Sequence, residues 1–134
     1  MPQKILIVED DAINVKFMKV VLTRKGGYEV CVSEDVDEIL QLAASGTVHA
    51  IIMDISLSRS SYEGRKVDGI FITRLLKSRP ETAKVPVMLA TAHAMFGDRE
   101  RFLSETGAEH YISKPIHDPD AFLGEIRCIL PLPE

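Results

Sequence analysis

The chain has 134 residues, 46% hydrophobic and 27% charged, and its 16 Lys and Arg against 20 Asp and Glu leave a net charge of −4. A disordered chain would be short of apolar residues and a chain that coats nucleic acid would be basic, so neither class fits. One domain over residues 1–134 is expected, large enough to bury about two-thirds of its surface without disulfide staples.

The two cysteines, Cys31 and Cys128, show no CxxC spacing and no partnering His pair, so two buried thiols of a cytoplasmic protein are expected. The first apolar run, Ile5 to Val8, stops at Glu9-Asp10-Asp11 and is too short for a signal peptide or a membrane span.

Short apolar runs alternate with longer amphipathic stretches five times. Ile5-Leu6-Ile7-Val8 reads as a strand covered on both faces, and Ile13, Phe17, Val20 and Val21 follow at the spacing of a helix face. Gly26-Gly27 ends that helix. Tyr28 to Ser33 is a second strand, Val36 to Ala44 a helix closed by Gly46, and Val48 to Met53 a central third strand that runs into Asp54. Residues 56–67 form an irregular, extended loop. A helix then runs from Asp68-Gly69 to Arg79-Pro80, because the residue before proline disfavours helical dihedrals. Val85 to Ala90 is the fourth strand and Met95 to Thr106 the fourth helix, stopped by Gly107. Glu109 to Ser113 is the fifth strand. Asp118-Pro119 opens the last helix, whose Phe122, Leu123, Ile126, Ile129 and Leu130 share one face before Pro131 and Pro133 end it.

Strict alternation of strand and helix implies parallel strands joined by right-handed crossovers. The expected fold is α/β, a flavodoxin-like, doubly wound five-stranded parallel sheet of order 2-1-3-4-5. In such a sheet a ligand site lies beyond the carboxyl ends of the strands, at the switch point between strands 1 and 3. Glu9, Asp10 and Asp11 follow strand 1 and Asp54 follows strand 3, so the topology gathers carboxylates there. Capping the next helix accounts for Asp11 alone. The others would repel one another unless a cation sat among them, and hard oxygen donors of this kind suit magnesium. Thr91 closes strand 4 and Lys114 closes strand 5 on the same edge. A hydroxyl and an ammonium there would stabilise a transferring phosphoryl group, with Asp54 as the nucleophile.

With these residues in place, the chain resembles a response-regulator receiver domain of two-component signalling, of the stand-alone type. The strings that carry the resemblance are Ile5-Leu6-Ile7-Val8-Glu9-Asp10-Asp11, Ile52-Met53-Asp54-Ile55, Val67-Asp68-Gly69, Ala90-Thr91-Ala92-His93-Ala94 and Tyr111-Ile112-Ser113-Lys114-Pro115-Ile116. The resemblance implies that Asp54 accepts a phosphoryl group from a phosphohistidine, with Mg2+ (or Mn2+) held by Glu9, Asp10, Asp54 and the backbone carbonyl of Ser56. Thr91 and Lys114 would contact the phosphoryl oxygens, Tyr111 would switch rotamer, and Lys114-Pro115 would be a cis bond. Implied partners are a sensor histidine kinase or histidine phosphotransfer protein and a downstream protein target bound through the helix 4, strand 5, helix 5 face. No direct nucleic-acid contact and no membrane insertion are implied, and a homodimer through that face is allowed. The domain would be a phosphoacceptor that can lose its own phosphoryl group, not an enzyme that turns over an external substrate.

Three features depart from the pattern or stand beside it. Ser58 occupies a place where receivers usually have a proline, and Arg59 to Lys66 lengthens the loop beside Asp54; Arg59, Tyr62, Arg65 and Lys66 would contact the phosphodonor or shield the acyl phosphate. Ser56 and His93 hold positions that in the family tune access of water. The histidines His49, His110 and His117 show no metal-ligand arrangement. The alternative is a pseudo-receiver, a non-phosphorylated interaction module, which would have no need of the acidic cluster. An aspartyl-phosphate phosphatase would want a second acid where Ser56 stands, and a flavodoxin would want a neutral first loop.

Overall fold

The computed structural model describes residues 2–92, 95, 97–116 and 118–130. Five strands, β1 (Lys4–Val8), β2 (Glu29–Val32), β3 (Ala50–Asp54), β6 (Val87–Thr91) and β7 (His110–Ser113), form one parallel sheet in the order β2-β1-β3-β6-β7. Counting only these five, that order is 2-1-3-4-5. The two extra strands, β4 (Ser61–Tyr62) and β5 (Arg65–Lys66), pair antiparallel on their own.

The central strands β1, β3 and β6 are buried along almost their whole length because both faces are covered. On one face Leu6, Val8, Ile51, Met53, Val87 and Leu89 pack under α2 (Val36–Ala44), α3 (Gly69–Ser78) and α5 (Asp98–Thr106). On the other, Ile5, Ile7, Ile52, Met88 and Ala90 meet α1 (Ala12–Val20) and α6 (Pro119–Ile129). Alternate residues of each strand thus feed opposite cores. A one-turn helix, α4 (Pro80–Ala83), follows α3, with Pro80 at its first position.

Several expectations need correction. Of the expected first-helix stripe Ile13, Phe17, Val20 and Val21, only Val21 is buried and Phe17 half-buried. Ile13 is 80% exposed and Val20 half out, while Met18, Val21 and Leu22 are buried. Apolar residues lie nearly all round this segment, so two stripes were available. The helix continues into a π-helical turn, Val21–Lys25, in which Val21 and Leu22 are buried. Neither cysteine is fully buried: Cys31 is half-buried on the edge strand β2, and Cys128 is exposed because it falls off the 122-123-126 stripe of α6. The fourth helix starts at Asp98, three residues late, after a left-handed Gly97 (φ 86°) that breaks the helix upstream.

The loop expected to be irregular contains the β4–β5 hairpin, turned at Glu63 (φ 53°) and Gly64 (φ 80°). Leu57 is buried in the core beneath it, and Tyr62 faces α3, its ring 6.0 Å from that of Phe71 and its hydroxyl accepting from Arg79 at 3.1 Å. The placements of His93, His117, Pro131 and Pro133 lie outside the described residues.

Candidate functional site

Register assembles the site. Val8 pairs with Met53, so Glu9, one step further, comes level with Asp54; Asp54 pairs with Ala90, and Thr91 pairs with Ser113. The backbone N–H of Lys114 donates to the Thr91 carbonyl at 2.7 Å, which holds the Lys114 backbone at the same edge. Four strand ends therefore deliver Glu9, Asp54, Thr91 and Lys114 to one place with no long-range loop folding required. Glu9 and Asp54 are each 3% exposed and Thr91 is buried beside them.

The Lys114 ammonium lies 2.8 Å from Glu9 Oε1 and 3.2 Å from Asp54 Oδ1, and the N–H of Ser56 donates to Asp54 Oδ1 at 3.1 Å. Glu9 Oε2 accepts from the backbone N–H groups of Asp10 and Asp11 at 3.2 and 3.3 Å. Asp11 caps α1, its Oδ1 accepting from Ile13 and Asn14. Asp10 turns its Oδ2 toward the loop after β3, where the Ser58 N–H and hydroxyl donate to it at 3.0 and 2.7 Å. The Lys114–Pro115 peptide bond is cis.

One ammonium faces two buried carboxylates, and the titration behaviour follows from that imbalance. Burial and a hydrogen bond with Asp54 push the Glu9 carboxyl up to about 7, with Lys114 opposing both. Burial lowers Lys114, but its hydrogen bond to Glu9 and the charge of Asp54 outweigh that and hold it above the ordinary lysine value. Burial also raises Asp10. The Ser58 hydroxyl and N–H, its own backbone N–H and the charge of Arg59 overcome that and leave it below the usual range.

Glu9, Asp10 and Asp54 each offer a carboxylate oxygen, and these oxygens lie within 4.8 Å of one another. Three hard oxygen donors around a site that is short of positive charge fit a small divalent cation. His49 and His110 are elsewhere: His49 Nδ1 accepts from the Lys4 N–H, and His110 on β7 pairs with Glu125 of α6.

Tyr111 sits on β7, 8% exposed, its ring stacked against Phe102 of α5 with centroids 6.1 Å apart. Its hydroxyl is buried without a hydrogen-bond partner among the described residues, and burial, aided by Asp98, raises its pKa against the opposing charge of Arg101. A buried, unpartnered hydroxyl contributes only its desolvation cost. Tyr111→Phe is therefore expected to leave the unfolding free energy unchanged or raise it by up to about 1 kcal/mol, measured by urea denaturation; a loss of stability would mean that the hydroxyl has a partner.

Tyr62 is occupied by α3, Arg65 and Lys66 are exposed on β5, and Arg59 reaches the Asp10 carbonyl at 2.8 Å and Glu34 at 3.2 Å. Sequence reasoning set Arg59 beside the site without its contacts to Asp10 and Glu34, and it gave Ser58 no role there. The available signal was a polar pair four and five residues past Asp54.

Comparison with known proteins agrees with the geometry. The chain is 38% identical over 130 residues to the polar-differentiation response regulator DivK of Brucella anthropi, a match that covers 97% of this chain and 98% of that one. Among solved structures, the receiver domain of a sensor histidine kinase from Pseudomonas aeruginosa, which has a magnesium ion coordinated in its active-site cleft, superposes with a TM-score of 0.77 at 29% identity, covering 96% of this chain and 98% of that one. A CheY-like response regulator receiver protein from Methanospirillum hungatei gives a TM-score of 0.73 at 26% identity over 95% of this chain and 92% of its own. The family model of the response regulator receiver domain matches residues 5–127, and with the strand-end site just described this chain belongs to that family.

Proposed function

We propose that this chain is a phosphoacceptor of a two-component or phosphorelay system, in which Asp54 takes a phosphoryl group from a phosphohistidine. One Asp54 carboxylate oxygen attacks phosphorus, the bond from phosphorus to the donor's imidazole nitrogen breaks, and the imidazole leaves as a neutral ring after taking up a proton. The product is an acyl phosphate on Asp54. Glu9, Asp10 and Asp54 would hold Mg2+ or Mn2+, which when bound offsets the negative charge of the reacting phosphoryl oxygens. Lys114 already touches Asp54 and supplies the second positive charge, while Thr91 supplies a hydroxyl at the adjacent strand end.

The observation that carries this reading is the buried Glu9-Asp54-Lys114 cluster at the switch point of the sheet. A structural module gains nothing from two buried carboxylates served by one ammonium. A donor surface is at hand as well: Ile13, Phe17, Pro115 and Ile116 line a groove against Lys114, and the exposed Ile13 suits an apolar helix that carries the phosphohistidine. Output would pass through the face made by α5, β7 and α6. The phosphoryl group adds nearly two negative charges and draws Thr91 and Lys114 inward, freeing space for Tyr111 to change rotamer and alter that face for a protein target. We place this chemistry in the cytoplasm and take the chain to be an acceptor that hydrolyses its own acyl phosphate at most. Among the described residues no helix is long and apolar enough to cross a membrane.

Incubation with acetyl phosphate and Mg2+, followed by phosphate-affinity electrophoresis, tests the assignment. The wild-type chain is expected to give a retarded band that Asp54→Asn and EDTA both abolish. Retardation of the mutant as well would take the phosphoryl group away from Asp54, and retardation of neither chain would replace this reading with a non-phosphorylated pseudo-receiver.

A further inference from the structure

Three consecutive residues after β3 latch onto the end of β1 and the start of the helix after β2. Ser58 gives both its N–H and its hydroxyl to Asp10 Oδ2, at 3.0 and 2.7 Å. Arg59 spans the Asp10 carbonyl at 2.8 Å and the Glu34 carboxylate at 3.2 Å, and the buried Ser60 hydroxyl donates to the Glu34 carbonyl at 2.8 Å. The far side of the segment is fixed too, since Leu57 is buried in the core and the Val67 N–H closes the hairpin base on the Ser60 carbonyl at 3.0 Å. Asp10 is the least buried of the three clustered carboxylates and, unlike Glu9 and Asp54, has no contact with Lys114 to orient it. Without the latch its side chain would be free to turn into solvent.

We propose that Ser58 is a positioning residue for the divalent-cation site: by holding Asp10 Oδ2 from outside, it keeps the Asp10 carboxylate aimed at Glu9 and Asp54. Only a small hydroxyl residue with a free N–H supplies both donors at this spot. Apolar residues lack the hydroxyl, and proline lacks both donors. The physics is that of any outer hydrogen bond to a metal-ligating carboxylate, which removes rotamer freedom before the ion arrives. The inference rests on the cation reading given above and adds a residue that never touches the ion.

Mn2+ titration of the full unphosphorylated chain, read by calorimetry and by the paramagnetic signal of free Mn2+, tests it without any phosphotransfer. Wild type is expected to bind, Ser58→Ala to bind about ten-fold more weakly, the size typical of losing one outer-shell hydrogen bond, and Ser58→Thr to recover wild-type affinity. The thermal midpoint of Ser58→Ala in EDTA is expected to match wild type, because the site is exposed and the lost bond matters only to the ion. Equal Mn2+ affinity in wild type and Ser58→Ala, or a Ser58→Ala chain equally destabilised in EDTA and not restored by threonine, would overturn the role of Ser58 alone. A wild-type chain that binds no Mn2+ would overturn the cation site itself.

Discussion

Lys114→Ala is expected to cost about 3 kcal/mol of stability at pH 8 in EDTA and distinctly less at pH 5, because removing one partner of a buried ion cluster leaves uncompensated charge. The Lys114 side chain is 9% exposed against 1% for Glu9 and 4% for Asp54, so water does little to screen what remains. The direction of the pH effect follows from Glu9. Its carboxyl, raised from 4.5 to about 7 by burial, binds a proton in the folded chain that the unfolded chain has already released across that window. Folding stability from this group therefore falls as pH climbs from about 4.5 to 7. Without the ammonium the upper end of the window moves higher still and the loss deepens. At pH 5 Glu9 is protonated in both chains and the gap narrows. The same variant is expected to take up Mg2+ more tightly than wild type, since the ammonium and the divalent ion compete for the same oxygens, while acyl-phosphate formation slows for want of the lysine. Urea denaturation at the two pH values, with and without Mg2+, measures the first effect; an equal loss at both pH values would show that the cluster is not buried charge but packing.

The strand ends were legible because parallel sheets leave so little freedom. Once Ile5-Leu6-Ile7-Val8 and Val48 to Met53 are read as neighbouring strands, the acids that end them must meet, and the register pairing Val8 with Met53 delivers Glu9 to Asp54. Gly46 and Gly107, left-handed at φ 81° and 80°, fixed two helix ends in the same way, and Asp118-Pro119 fixed one helix start. What was not legible came from segments where a local pattern admits two solutions. The first helix carries apolar residues nearly all round, so its spacing alone does not say that Met18 is buried while Ile13 is exposed. The hairpin rests on Glu63, a non-glycine residue at φ 53°, next to Gly64, a conformation that Glu-Gly does not announce as Asn-Gly would. The Ser58 and Arg59 contacts to Asp10 join residues 48 and 49 positions apart, and no periodicity encodes a polar contact of that span.

Gly69→Ala is expected to be the most damaging single-methyl change in the chain. A Cβ on Gly69 would stand 2.0 Å from the Asp54 carbonyl oxygen, 2.8 Å from its carbonyl carbon and 3.0 Å from Ile55 Cα, all backbone. A flexible side chain can swing away from such a contact, but the end of a central strand cannot. Asp54 is bound to β6 through its register with Ala90, and Ile55 donates to the Ala90 carbonyl at 3.0 Å and accepts from the Gly69 N–H at 3.1 Å. Relief therefore requires moving the first turn of α3, which Asp68 caps through Phe71, away from the sheet that Ile72 and Leu76 cover. Overpacking of a well-filled core typically costs about 1–3 kcal/mol, and the upper end applies where only backbone can yield. At this chain length about 3 kcal/mol corresponds to a fall in thermal midpoint of roughly 10 °C. The functional consequence is separable from the loss of stability. Displacing the Asp54 carbonyl tilts the carboxylate away from Lys114 Nζ, now 3.2 Å distant, and from the Ser56 N–H at 3.1 Å. Acyl-phosphate formation is expected to fall sharply even at a temperature where the variant is fully folded, and Gly69→Ser should behave no better, since the clash lies at Cβ. A variant that keeps wild-type midpoint and wild-type phosphorylation would mean that α3 can slide along β3, and that the close approach of Gly69 to Asp54 is not what sets the position of that carboxylate.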